Sequence, residues 1–193
     1  MKDKKGVIVL IAGMAILLIG ASVLYTQLRE NIAPPEQLVV QTTAPTEAGQ
    51  TQPQTAQAPD FTVYDGEGNP VQLSSFFGKP IVLNFWASWC GPCQSEMPDF
   101  QEKFQEQGEN IQFLMVNMTD GQRETAQIAA AFIAQKGYTF PVLYDTESNA
   151  ALTYGVYSLP TTYFLDAQGN LVAQATGAID AATLQKGIDM ITD

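Results

Sequence analysis

The sequence predicts a mixed α/β sheet with helices on both faces, held behind an apolar span and a structureless linker. Three observations lead there. Continuous apolar runs such as Ile81–Phe85 and Ile111–Asn117 have the character of buried strands, and they alternate with stretches of helical spacing. The turn Asp166-Ala167-Gln168-Gly169-Asn170 separates two further strand-like runs closely enough to make them antiparallel neighbours. Finally, Gly6–Tyr25 (GVIVLIAGMAILLIGASVLY) is twenty residues without a charge.

At 1.5 Å per residue that last segment spans roughly 30 Å, the thickness of a bilayer's hydrocarbon core. Lys2, Lys4 and Lys5 precede it, whereas only Arg29 follows closely, beside Glu30. The positive-inside rule then puts the N-terminus in the cytoplasm and the remainder outside, with Tyr25 at the interface. A cleaved signal peptide is the rival reading. The run exceeds the usual apolar core of about 7–15 residues and has no small-x-small site after it, which favours an uncleaved signal anchor. A lipoprotein is excluded because no cysteine lies near the segment. The predicted organisation is therefore a cytoplasmic stub and anchor over 1–29, a linker over 30–58 and a folded domain over 59–193. The stretch from Asn31 to Pro59 holds five prolines, the last of them Pro59 itself, and its one apolar cluster is Leu38-Val39-Val40. It buries too little to offset its ordering entropy.

Within the domain, Phe61–Val63 and Val71–Leu73 flank the turn Asp65-Gly66-Glu67-Gly68-Asn69 and predict an N-terminal hairpin. Ile81–Phe85 follows as a buried central strand, then a helix over about Cys90–Glu106 that Pro98 should kink. Ile111–Asn117 is a second buried strand, and Gln122–Lys136 a helix ended by Gly137. Phe140–Tyr144 is a strand, Asn149–Tyr154 a short helix, and Thr161–Leu165 with Leu171–Ala175 the closing hairpin. Asp180–Ile191 ends the chain as a helix capped by Asp180.

Composition removes many chemistries. The chain has two cysteines and no histidine. His-dependent nucleophilic triads, His-ligated zinc and His-ligated haem are thereby excluded. The net charge of −11 argues against nucleic acid as partner. Four bases and four acids cancel in residues 1–58, so the entire −11 belongs to residues 59–193.

The remaining chemistry lies in Trp89-Cys90-Gly91-Pro92-Cys93. Two cysteines at i and i+3, after a buried strand and opening a helix, make a redox pair. Unpaired N–H groups and the dipole at a helix N-terminus favour an anion, which lowers the pKa of Cys90 and makes it the nucleophile. Cys93, one turn inward, attacks the mixed disulfide formed at Cys90. Pro92 suits the first helical turn. A structural disulfide closing so short a loop would staple almost nothing. A metal site lacks further ligands, and Gln94 rules out covalent haem attachment.

Asn84-Phe85-Trp86-Ala87-Ser88-Trp89-Cys90-Gly91-Pro92-Cys93 resembles the active-site segment of the thioredoxin superfamily. Gly155-Val156-Tyr157-Ser158-Leu159-Pro160-Thr161-Thr162-Tyr163-Phe164-Leu165-Asp166 resembles its cis-proline segment. Anchor, tether and extra N-terminal hairpin narrow the resemblance to membrane-anchored, extracytoplasmic TlpA/ResA-like thiol-disulfide oxidoreductases, covering residues 59–193. The resemblance implies a thioredoxin-like fold with Cys90 as attacking thiolate, Cys93 as resolving thiol and Pro160 in cis facing the disulfide. Ser158 and the backbone of Leu159 would meet substrate, alongside Trp89, Gly91 and Pro92, while Trp86 packs in the core. At Asn84 the pattern departs: thioredoxin has a buried aspartate there as proton acceptor, and an amide cannot do that work. Glu96, three residues past Cys93 on the same helix face, is the candidate replacement; as an ordinary solvated carboxylate it would do nothing of the kind.

The Gly91-Pro92 pair and the absence of histidine point to a reductant rather than an oxidant. The expectation is an enzyme that reduces protein disulfides, with cytochrome c maturation among its fields of action. No cofactor is expected beyond the Cys90–Cys93 pair, and the protein is expected to be a monomer. The resemblance further implies a transmembrane thiol-relay protein in the same bilayer that would recharge it. Two alternatives are a thiol peroxidase of the peroxiredoxin type, which needs threonine where Ala87 stands, and a copper chaperone using Cys90, Cys93 and Met97 or Met118.

Overall fold

The computed structural model describes Gly13, Met14, Leu38–Val40 and residues 56–192. The apolar span Gly6–Tyr25, apart from Gly13 and Met14, and most of the linker lie outside the described residues. Among the described residues no helix is long and apolar enough to cross a membrane. The compact unit Gln37–Asp193 holds everything that follows.

Its strands are β1 (Leu38–Val40), β2 (Thr62–Tyr64), β3 (Pro70–Gln72), β4 (Ile81–Trp86), β5 (Gln112–Asn117), β6 (Val142–Tyr144), β7 (Thr161–Leu165) and β8 (Leu171–Thr176). Its helices are α1 (Gly91–Gln107), α2 (Ala126–Lys136), α3 (Asn149–Tyr154) and α4 (Ala181–Thr192). The strands form one sheet in the order β1-β8-β7-β4-β5-β6-β2-β3. β4, β5 and β6 run parallel, and every other pairing is antiparallel, so the sheet is mixed as expected.

β4 is buried at all six positions. Alternate residues of a strand face opposite sides. Ile81, Leu83 and Phe85 enter one core with Phe61, Val63, Leu114 and Tyr163. Val82 and Trp86 enter the other with Met97, Phe100, Phe164 and Ile188. The parity that sends Val82 and Trp86 toward α1 also sends Asn84 there. Trp86 is wholly buried, its ring centroid 5.9 Å from that of Phe132, as a core residue should be.

Several boundaries differ from the sequence reading: β3 ends at Gln72, where Leu73 opens a short 3-10 turn, and β6 begins at Val142 rather than Phe140. Three further differences from that reading have a clear physical cause. Leu38–Val40, assigned there to the linker, adds a strand to the sheet edge, with Leu38 opposite Ala175 and Val40 opposite Ala173. An isolated apolar triplet has no strand partner locally; β8 supplies an open edge from the far end of the chain. The domain also begins before residue 59, because Leu171 N–H donates to the carbonyl of Ala56, and Ala58 N–H to that of Gly169. Finally, α2 begins at Ala126 rather than Gln122. Asp120 accepts from the N–H groups of Gln122 and Glu124, which stabilises a turn in place of helix, and the Thr125 hydroxyl accepts from Ile128 N–H as the N-cap. Asp180 caps α4 as expected, accepting from Thr183 N–H at 2.8 Å. α1 runs through Pro98 as one element.

Candidate active site

β4 delivers the chain into the loop Ala87-Ser88-Trp89, and Cys90 is the N-cap of α1. Its sulfur accepts from Cys93 N–H at 3.2 Å, the interaction that stabilises a thiolate once the pair is reduced. In the structure the two sulfurs are joined as a disulfide with Cα atoms 5.2 Å apart. Cys90 retains a trace of exposure and Cys93 none, so an incoming sulfur meets Cys90 first.

Cys90 opens onto a groove of about 590 Å³. Trp89, Gly91, Pro92, Ser158 and Leu159, all singled out from the sequence, line it with Cys90. The Leu159–Pro160 peptide bond is cis. Pro160 is buried and is not on the groove wall. The Thr161 hydroxyl donates to the carbonyl of Ser158 at 2.8 Å, which fixes the loop ahead of β7.

Glu96 is not among the residues that line the groove. Only 2% of its surface is exposed. Oε1 accepts from Asn84 Nδ2 at 2.8 Å and Oε2 from Ile179 N–H at 2.9 Å. Burial pushes its pKa up from 4.5 to about 7; the two donors pull it partly back, and Asp99 adds to the rise. A carboxyl that changes charge near neutrality, one turn from Cys93, can take up and return a proton there.

A second buried carboxylate, Glu124, was not singled out from the sequence. It is fully buried and accepts from Ser88 N–H at 2.8 Å, Ser88 Oγ at 2.6 Å and Asn117 Nδ2 at 2.7 Å. Next to it, Arg123 places its guanidinium 3.8 Å from the centroid of the Trp89 ring. Residues 123 and 124 thus grip residues 88 and 89, immediately before the nucleophile. In the sequence both read as ordinary polar residues at the start of a helix, and nothing local marks Glu124 as inward-facing. Tyr157, three residues before Pro160 and 96% exposed, also lines the groove, and sequence reasoning assigned it no role. Of the two methionines considered beside the cysteines, Met97 is buried in the core cluster that also holds Cys90 and Cys93, and Met118 lines the groove with Cys90. Among the described residues no three His, Cys, Asp or Glu side chains are grouped to hold a metal ion.

Two sulfurs that pass between dithiol and disulfide at the mouth of a groove form a two-electron carrier, and on this sheet such a carrier is a thioredoxin-like thiol-disulfide oxidoreductase. A model of the AhpC/TSA family matches residues 55–174, and the chain belongs to that family. Its relatives include the thiol-disulfide oxidoreductase ResA of Bacillus thuringiensis subsp. konkukian (strain 97-27), 36% identical over 140 residues, covering 70% of this chain and 77% of ResA. Among solved structures, the pneumococcal exposed lipoprotein thioredoxin of Streptococcus pneumoniae strain TIGR4 is 34% identical with a TM-score of 0.57, covering 68% of this chain and 99% of that one. StoA from Bacillus subtilis is 25% identical with a TM-score of 0.59, covering 69% and 98%.

Proposed function

We propose that this thiol-disulfide oxidoreductase is anchored by Gly6–Tyr25 and reduces protein disulfides on the outer side of the membrane. A transmembrane thiol-relay protein would recharge it, and apocytochrome c is a candidate substrate. The observation that carries the reading is Cys90 at the N-cap of α1, on the groove wall, with Cys93 buried one turn behind. The flanking charges support the topology, and the similar pneumococcal protein is described as an exposed lipoprotein. The lack of histidine supports the direction, since no imidazolium is available to stabilise the Cys90 thiolate and make the disulfide strongly oxidising.

In the reaction the Cys90 thiolate attacks a substrate disulfide, forming a mixed disulfide and releasing one substrate thiolate. Cys93 then gives its proton to Glu96, and its sulfur displaces the second substrate thiolate from Cys90. The two leaving thiolates take up two protons, and two electrons have passed from the dithiol to the substrate. Glu96 returns its proton when the relay protein reduces the pair. Equilibration with glutathione, read by mass spectrometry of trapped thiols, is expected to give a potential nearer about −270 mV than about −120 mV. A value at the oxidising end sinks the reductase reading. Cys93→Ser strands substrates on Cys90 as mixed disulfides, and recovery of apocytochrome c is the expected result; capture of other proteins without it would point to a general reductase. Ala87 stands where a thiol peroxidase requires threonine, so peroxide should be turned over far more slowly than insulin disulfides.

A further inference from the structure

Asn84 carries an imbalance at its head. Nδ2 donates to Glu96 Oε1 at 2.8 Å and to Thr162 Oγ1 at 3.0 Å, while Oδ1 is buried without a partner. All three side chains are buried. Strand parity explains the grouping: Asn84 and Thr162 are cross-strand neighbours on β4 and β7, on the side of the sheet where α1 presents Glu96.

The other carboxyl oxygen of Glu96 faces the backbone N–H of Ile179. That group can only donate and is met best by an unprotonated oxygen, which places a Glu96 proton on Oε1. There the proton faces Asn84 Nδ2, which offers it no acceptor. A half-turn of the Asn84 amide supplies one. Oδ1 then accepts from Glu96 Oε1–H, and the Thr162 hydroxyl, which can donate as well as accept, turns its hydrogen toward Oδ1. We infer that Asn84 is a positioning residue that acts as a two-state amide switch, presenting Nδ2 to the Glu96 carboxylate and Oδ1 to the Glu96 acid. The inference rests on the reading of Glu96 as a proton carrier.

Both states occur near neutral pH, because burial holds Glu96 at about 7. On its own helix the charged group that acts on Glu96 is Asp99, while Cys93, one turn back, is held in the disulfide and carries no titratable proton; β4, β7 and the segment before α4 present the uncharged Asn84, Thr162 and Ile179 N–H. The switch has a consequence beyond Glu96. Thr162 lies two residues after Pro160, so its change from acceptor to donor carries the proton state of the site into the strand behind the proline loop. The two states are also unequal: the carboxylate state leaves one acceptor unpaired, whereas the acid state leaves both N–H groups of Asn84 unpaired. Asn84 therefore favours the carboxylate.

The test is a pH titration of the full chain in detergent micelles, labelled with ¹³C-glutamate and ¹⁵N-asparagine, with Asn84→Leu to assign the Asn84 amide. The Asn84 Nδ2 resonance is expected to move with the same midpoint as the Glu96 carboxyl carbon. In Glu96→Gln the fixed Ile179 N–H demands the glutamine oxygen, so the glutamine NH₂ faces Asn84. Its amide resonances should then match the acid form at every pH. Asn84→Leu should raise the Glu96 midpoint by about one pH unit. A flat Asn84 amide through a Glu96 titration overturns the switch and leaves the proton-carrier reading standing. A Glu96 carbon that does not titrate between pH 5 and 9 overturns both. If Asn84→Leu does not fold, the wild type compared with Glu96→Gln decides the matter.

Discussion

Glu96 and Glu124 show how two buried glutamates in one small domain acquire different tasks from their donors. Glu96 has two donors and a pKa near 7, well above 4.5. Between those values the folded state binds more protons than the unfolded one, so stability falls as pH rises from about 4.5 to about 7 and levels off above. The loss is on the order of 3 kcal/mol. Glu96→Gln should remove that slope, and urea melts of the unit Gln37–Asp193 at pH 5 and pH 8 measure it. An equal loss in wild type and variant would reject the assignment. Glu124 instead receives three hydrogen bonds from Ser88 and Asn117. Glu124→Ala strands those donors in the interior and should cost about 2–4 kcal/mol in a urea melt. Because Ser88 stands two residues before Cys90, insulin reduction should slow as well. The identity of the redox pair could be seen in the sequence because it is a spacing. The role of Glu124 could not, because its partners come from residues 36 and 7 positions away.

Among the elements, the sheet strands and helices follow from periodicities that are local, and nearly all were visible before the structure. The contacts that lock them were not. Gly187 on α4 sits against Phe164 of β7, where a Cβ would overlap the ring. Gly187→Ala should therefore push the helix off the sheet at a cost of about 1–3 kcal/mol, seen as a lower melting temperature. β1 is the clearest case of an element decided at long range. Leu38 is buried against β8, and Leu38→Ser should cost roughly 1.5–3 kcal/mol. Hydrogen exchange along the β8 edge should speed up in that variant. Unchanged exchange would mean that the strand contributes no protection.

For the molecule as a whole, residues 59–193 carry sixteen acids and five bases, and the groove has Asp120, Asp145 and Arg123 on its wall. Basic disulfide peptides should react faster than acidic ones at low salt, and the gap should close as ionic strength rises past about 0.1 M, where screening acts within about 10 Å. Stopped-flow rates with matched peptides check this, and a salt-independent ratio would assign selectivity to the groove rather than to the charge field.

The amino-acid order alone determined the sheet-and-helix alternation, the Cys90–Cys93 pair opening a helix and the histidine-free chemistry around it. Each of these is a statement about near neighbours, which spacing and composition encode directly. Tertiary structure alone decided that Leu38–Val40 joins the sheet, that Glu124 holds the loop before Cys90, and that Asn84 meets Glu96 with its carbonyl oxygen unpaired. Those outcomes depend on which edge is left open and which donor has no other acceptor, and such facts exist only once distant strands have been brought side by side.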